Sequence, residues 1–270
     1  MQRRRFLKGS LATSVVAVAS GAGLFLPQSV LAAAWPSTAF RAPTLEGALE
    51  AVFGDIPVVD VAADDDIIKI TGLLNAEDGA DVPVKAETTL PDVESVTIGV
   101  ANNPVPLVAQ VDCGDAGLGF FDLRIKMAQT DDIQVFVKSG GKLYRKTWRT
   151  VVVIGGCLAS NSDSLLIRGA NQIARRTKMR VKARAGFLDV KGMISHPMQG
   201  IKADPQGLGH YVQSMTFLIN GKEACQANLG SGVSKNPRIG VRIKGNKGDE
   251  VTMNWVDNKG EQNSVTAKAR

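Results

Sequence analysis

Three thiols and two imidazoles are the residues most able to do chemistry in this chain, namely Cys113, Cys157, Cys225, His196 and His210. Cys157 has the most telling setting. It follows Gly155 and Gly156, which follow the β-branched run Thr150 to Ile154. Such a run predicts a strand, and two glycines then lift the side-chain and φ restrictions just before the thiol. A strand that opens into a glycine hinge and presents a sulfur suits a thiol that must travel with a group attached. A thiolate can join another sulfur species as a mixed disulfide or persulfide. Alternatively, the same residues form a turn beside an ordinary apolar cysteine. Three cysteines cannot all pair within one chain. Cys113 and Cys225 lie in alternating segments, where they read as buried core thiols, with a bridge between halves as the alternative. Lys146 and Arg149 upstream, and Arg168, Arg175 and Arg176 downstream, are the basic residues nearest Cys157 in sequence that could lower its pKa.

Other chemistry is thin. No Cys-x-x-Cys or zinc-type histidine spacing occurs, and there is no Gly-x-Ser-x-Gly elbow, Walker loop or dinucleotide fingerprint. Met193, His196 and Met198 could hold a soft metal such as copper, but beside Pro197 they read better as packing and turn residues, so no metal and no cofactor is expected. Asp64 to Asp66 is a block, whereas a calcium loop needs spaced oxygens.

The elements that must position Cys157 follow from periodicity. Residues 1–33 carry Arg3, Arg4 and Arg5, then an apolar stretch from Leu11 to Leu26, and small residues at Ala32 to Ala34 mark the expected cleavage region. That order marks an export signal. Arg4 and Arg5 before Phe6-Leu7-Lys8 point to the twin-arginine route, and hence to a periplasmic protein with no membrane segment after cleavage. The chain's formal charge is +6, and losing Arg3, Arg4, Arg5 and Lys8 with the signal leaves +2, so basicity does not argue for nucleic acid. The rest is asymmetric. Residues 35–157 hold 10 basic and 18 acidic side chains, net −8, whereas residues 158–270 hold 18 and 8, net +10. Opposite fields predict two halves that dock.

Leu45 to Phe53 spaces its apolar residues as a short amphipathic helix ending at Gly54. Period-two segments follow at 67–70, 82–86, 93–100, 106–111, 123–127, 133–138 and 142–154, separated by turn residues that include Glu77-Asp78-Gly79 and Gly114 to Gly119. After the linker-like residues 158–173, a second set occupies 179–185, 188–194, 212–219, 224–229, 238–244 and 250–256, with Asn220-Gly221 as a hairpin signal. The expected fold is all-β: two immunoglobulin-like β-sandwiches in series (34–157 and 174–270), with the helix in the first.

Both halves resemble a known family. Ala48 to Gly54, Asn103-Pro104 with Pro106-Leu107 and Ala109, Arg124 to Ala128 and Gly155-Gly156-Cys157 are similar to the SoxY subunit of the bacterial sulfur-oxidation carrier complex. Ser195 to Met198, Asn220 to Lys222, Ser234 to Pro237 and Trp255 to Gly260 are similar to its SoxZ subunit. The resemblance implies a carrier and not an enzyme, with Cys157 as the covalent sulfur attachment point and Gly155 and Gly156 as the arm hinge. It implies loading with thiosulfate-derived sulfur by a partner cytochrome, then presentation to a sulfate-releasing hydrolase and a sulfur dehydrogenase. The family's Y subunit ends at a Gly-Gly-Cys-Gly-Gly tail. Here Leu158-Ala159 follow, and the chain runs on into the second half. The fusion also resembles a carrier type linked to quinoprotein dehydrogenases, which leaves an adaptor serving such an enzyme as the alternative.

Overall fold

The amphipathic segment forms helix α1 (Leu45–Phe53), capped by Thr44, whose Oγ1 accepts the Gly47 N–H at 3.1 Å. It stops at Gly54, where φ is +67° and the N–H donates to the Glu50 carbonyl at 2.8 Å. Glycine takes that φ without the Cβ penalty. The computed structural model describes residues 35–156, 176–200 and 209–270, all within one compact unit. The twin-arginine residues Arg4 and Arg5, the linker 158–173 and Cys157 itself lie outside the described residues.

Apart from α1 and one 3₁₀ turn, the described elements are strands. The first half supplies β1 (Val58–Asp60), β2 (Ile68–Gly72), β3 (Asn75–Asp78), β4 (Val82–Thr88), β5 (Val93–Val100), β6 (Leu107–Asp112), β7 (Gly117–Ile125), β8 (Asp131–Ser139) and β9 (Lys142–Ile154). The second supplies β10 (Thr177–Ala183), β11 (Phe187–Ile194), β12 (Val212–Ile219), β13 (Lys222–Leu229), β14 (Arg238–Lys244), β15 (Glu250–Asp257) and β16 (Gln262–Lys268). The all-β class and the helix are as expected. Asn220 and Gly221, at φ +48° and +80°, make the tight turn between β12 and β13.

Four elements depart from the sequence reading. β1 is three residues long, and β3 falls where a turn was expected, because it pairs in parallel with β9 and buries only Ala76. β7 starts at Gly117, inside an expected turn, with Gly119 at φ +60° within the strand. β16 is a polar edge strand without a fully buried residue. Short or one-sided strands lack the apolar alternation that periodicity detects.

The two sandwiches are joined edge to edge. One sheet runs β1-β9-β8-β5-β6-β13-β12-β15-β16, with β3 added on β9, and the other runs β10-β11-β14-β7-β4-β2. Each layer therefore crosses from one half to the other, at β6–β13 (Ala227 opposite Val111) and at β7–β14 (Val241 opposite Phe121). One core cluster spans both halves, with Val111, Phe121, Ala227, Leu229 and Val241 buried at the join. Docking through charge is thus corrected to docking through paired backbone and apolar burial. Ladder hydrogen bonds would be unsatisfied if the edges parted, and burial contributes about 25 cal/mol per Å². Cross-half ion pairs such as Lys191–Asp122 (2.7 Å) and Arg242–Glu87 sit on the partly exposed rim, where each is worth about 0–1 kcal/mol. On the other sheet, Asn228 Nδ2 donates to Asp112 Oδ2 across the join at 3.0 Å. Burial pushes the Asp112 carboxyl up to about 6 even so.

Candidate functional site

The thirteen-residue β9 leads to Cys157. Its pairing with β8 ends at Asp131 opposite Thr150, so the last four residues need another partner. β3 supplies it: Asn75, Ala76 and Asp78 lie opposite Val151, Val152 and Ile154, and the Val151 N–H donates to the Leu74 carbonyl at 2.8 Å. On the other side, Thr130 Oγ1 accepts the Val152 N–H at 2.9 Å, standing in for the missing β8 residue. The strand thereby keeps hydrogen-bond partners beyond the end of β8.

Beyond Ile154 the chain enters a clamp of backbone groups. The Gly79 N–H donates to the Ile154 carbonyl (2.7 Å), the Met127 N–H to the Gly79 carbonyl (2.7 Å) and the Gly156 N–H to the Met127 carbonyl (2.8 Å). Asn103 secures the far side, accepting the Ala128 N–H at 2.9 Å and donating to the Lys126 carbonyl at 2.7 Å. A Cβ on Gly156 would lie 2.0 Å from Ala80 N and Gly79 C, and one on Gly155 would lie 2.1 Å from the Ala128 carbonyl oxygen. At Gly155 and Gly156, the expected arm hinge, the lack of a side chain also allows close backbone approach, and Gly156 is buried. Cys157 is thus the first residue beyond a clamped backbone. Sequence reasoning missed Gly79, Asn103 and Ala128 as parts of this device. Their only signal was that two of them lie in family-like segments and one sits in an apparent turn.

Around the clamp the surface is apolar. Val151, Val153 and Ile154 on β9, with Leu73 and Leu74 before β3, are exposed, Val153 at 72% and Ile154 at 67%. Adjacent large aliphatic side chains left in water mark a contact surface. Two of the expected basic helpers, Lys146 and Arg149, have side-chain partners elsewhere. Lys146 is buried and donates to the Asp65 carbonyl at 2.5 Å, while Arg149 pairs with Asp132 at 3.3 Å. The Arg176 carbonyl accepts the Ser195 N–H at 2.9 Å; Arg168 and Arg175 lie outside the described residues.

Cys113 and Cys225 are free, buried thiols, as the default reading expected, and no bridge joins them. Burial pushes Cys113 up to about 11 and Cys225 well above the usual thiol range. With an ordinary value near 9.0, the Cys113 thiolate fraction below pH 9 drops by about a hundredfold. Native protein treated with a maleimide at pH 8 is therefore expected to leave both residues unmodified on the timescale that labels unfolded chain. Peptide mapping checks this, and rapid native labelling at Cys113 would contradict it. The stability that the protonated Cys113 contributes is complete below about pH 9 and is lost as pH rises towards about 11.

His196, His210 and Asp257 form the one metal-compatible group found among the described residues, with ligand atoms within 4.8 Å of one another. Asp257 Oδ2 faces His196 Nε2 at 3.3 Å and His210 Nε2 at 2.9 Å, and its Oδ1 accepts the Lys259 and Glu261 N–H groups at 2.8 Å each. The Met198 N–H donates to His196 Nδ1 at 3.2 Å, so the neutral ring carries its proton on Nε2 and donates to Asp257. A metal on Nε2 would force that proton to Nδ1, against the Met198 N–H. The arrangement is a hydrogen-bonded knot tying β15 to the segments before β12. Met198 completes it, its sulfur accepting the Val212 N–H at 3.3 Å.

Residues 49–157 match the model for "Sulfur oxidation protein SoxY" and residues 176–268 that for "Sulphur oxidation protein SoxZ". The solved sulfur carrier protein SoxY from Chlorobium limicola f thiosulfatophilum is 33% identical, over 41% of this chain and 97% of that one, with a TM-score of 0.36. A marsupial T cell receptor (8% identity, 74% of this chain and 99% of that one, TM-score 0.25) is also similar. So is a β-glycosidase from Bacteroides vulgatus (10%, 83% and 26%, 0.24). Structural overlaps this small carry no argument; sequence identity and the two family models do. No curated protein matches the chain. Two sulfur-oxidation models in series account for most of the residues after position 48, and the chain belongs to the SoxY and SoxZ sulfur-oxidation families, its SoxY part and SoxZ part fused in one polypeptide.

Proposed function

We propose that the chain is a periplasmic covalent sulfur carrier, exported by the twin-arginine route, which holds thiosulfate-derived sulfur on Cys157 and presents it to partner enzymes. The observation that carries this reading is the clamp at Gly155 and Gly156, which anchors the backbone one residue before Cys157, while the two described cysteines are buried. The Cys113 and Cys225 thiols are buried and held protonated, so they are poor nucleophiles. Loading joins the Cys157 thiolate to the outer sulfur of thiosulfate, forms an S–S bond and releases two electrons to a partner cytochrome. Hydrolysis of the product by a second enzyme then consumes one water and releases sulfate and one proton, leaving the persulfide Cys–S–SH. The exposed apolar surface of Val151, Val153 and Ile154 suits enzymes that must approach this thiol.

Intact-mass measurement tests the reading. Protein incubated with thiosulfate and an oxidising cytochrome is expected to gain the mass of one S₂O₃ unit at Cys157, and a Cys157→Ser variant to gain none. An adduct on Cys113 or Cys225 instead would refute Cys157 as the carrier thiol, and no adduct in the presence of a competent cytochrome would replace the carrier with a noncovalent adaptor.

A further inference from the structure

A cavity of about 420 Å³ opens on the solvent face of the β10-β11-β14-β7-β4-β2 sheet, where the two halves meet. Six cationic side chains line it: Lys85 from the first half, and Arg180, Lys182, Arg184, Lys191 and Arg242 from the second. Only two carboxylates, Asp122 and Asp189, share the lining. The register explains the convergence. Arg180 lies opposite Lys191, Lys191 opposite Gly240, Gly240 opposite Asp122 and Asp122 opposite Lys85, so these residues form one row across five strands. Gly240 contributes no side chain, which leaves a gap in the middle of that row. A second row runs parallel to it, with Lys182 opposite Asp189 and Asp189 opposite Arg242.

The charges do not cancel. Asp122 is taken by Lys191 at 2.7 Å, and Asp189 by Arg184 at 3.1 Å and Arg242 at 3.0 Å. Lys85, Arg180 and Lys182 have no acidic partner within 4.0 Å among the described residues. Arg242 is fixed in place. Its guanidinium lies 4.2 Å from the Phe120 ring centroid and 5.2 Å from that of Phe187, and it also pairs with Glu87. The cavity thus combines a locked guanidinium, an aromatic wall and three uncompensated cations. It exists only while β7 and β14 are paired.

We infer that this seam cavity is a noncovalent binding site for a small divalent oxyanion of the sulfate and thiosulfate class. Like charges on a rigid sheet repel one another, and a dianion seated over the Gly240 gap, with Lys85 reaching in from one flank and Arg180 and Lys182 from the other, relieves that repulsion while accepting hydrogen bonds from several donors at once. A fused chain keeps the two halves of the site together at any dilution. The site needs no thiol, so it stands or falls independently of loading at Cys157, while the choice of anion rests on the sulfur-carrier reading.

The test is a titration of the full chain carrying Cys157→Ser with sodium thiosulfate, sulfate or phosphate, at constant ionic strength balanced by chloride and followed by amide NMR. Saturable shifts are expected at Lys85, Arg180, Lys182 and Lys191 with the divalent oxyanions and not with chloride. The Lys85→Ala/Arg180→Ala/Lys182→Ala variant changes only side chains at the sheet surface and is expected to weaken that binding about tenfold or more, which corresponds to about 1.4 kcal/mol. Non-saturating shifts, equal shifts with chloride, or unaltered binding in the triple variant overturn the inference. Saturation by polyglutamate with none by the oxyanions also overturns it, and makes the seam a protein-docking surface. Preference among the three oxyanions separates a sulfur-specific site from a general one: equal affinity for phosphate removes the sulfur assignment.

Discussion

Gly156→Ala is expected to destabilise the protein by about 3 kcal/mol, at the upper end of what overpacking costs, with the damage concentrated at the end of β9. The added Cβ would lie 2.0 Å from Ala80 N and Gly79 C and 2.1 Å from the Gly79 oxygen. All three are backbone atoms, so no rotamer change relieves the clash. Relief requires the Gly156–Met127 and Gly79–Ile154 hydrogen bonds to open, which frees the last turn of chain before Cys157. Urea unfolding measures the loss, and hydrogen exchange at Gly79 and Met127, whose N–H groups belong to the clamp, locates it. Gly140→Asn is the control, because nothing lies within 4 Å of a Cβ there and its φ of +55° is one that asparagine tolerates. Unchanged stability in Gly156→Ala together with reduced sulfur loading would restore the hinge and refute the clamp.

Asp257→Ala is expected to cost about 3–5 kcal/mol, the range for breaking a buried charged network by removing one partner. Burial alone would raise the Asp257 carboxyl. The His196 and His210 hydrogen bonds and the Glu261 and Lys259 N–H groups outweigh burial and hold it well below the usual carboxylate range. The sign follows from linkage. A folded-state value below the unfolded 3.8 contributes stability that is present above about pH 4 and is lost as pH falls further. Wild-type protein should therefore lose stability between pH 4 and pH 2 more steeply than Asp257→Asn, which cannot titrate. Parallel pH profiles for the two proteins would show that the carboxylate charge contributes nothing to the knot. Because Asp257 ends β15 and His196 and His210 flank the approach to β12, the effect should also appear as faster exchange along β12.

Much of this molecule is legible in its sequence, for reasons specific to particular residues. Local signals identify α1 between Thr44 and Gly54, and the Asn220-Gly221 hairpin, because capping and positive φ depend on neighbours along the chain. Cys113 and Cys225 are recognisable as core thiols from the alternation around them. The His196-Pro197-Met198 segment was visible as a cluster, but its partner Asp257, about sixty residues away, carries no local mark. β3 is equally silent, since Asn75 to Asp78 has one buried side chain and owes its strand form to β9.

The sequence by itself determined the all-β class, the two halves, the family and the glycine setting of Cys157, because periodicity, motif order and composition are properties of the chain alone. Tertiary structure decided what Gly155 and Gly156 pack against, how the halves join and which charges are left uncompensated. Each of these depends on distances between segments far apart in sequence: Gly156 against Gly79, β6 against β13, Lys85 and Arg180 at the two ends of one row across the seam. Pattern along a chain records which face a residue turns inward, and it carries no information on which backbone approaches that face.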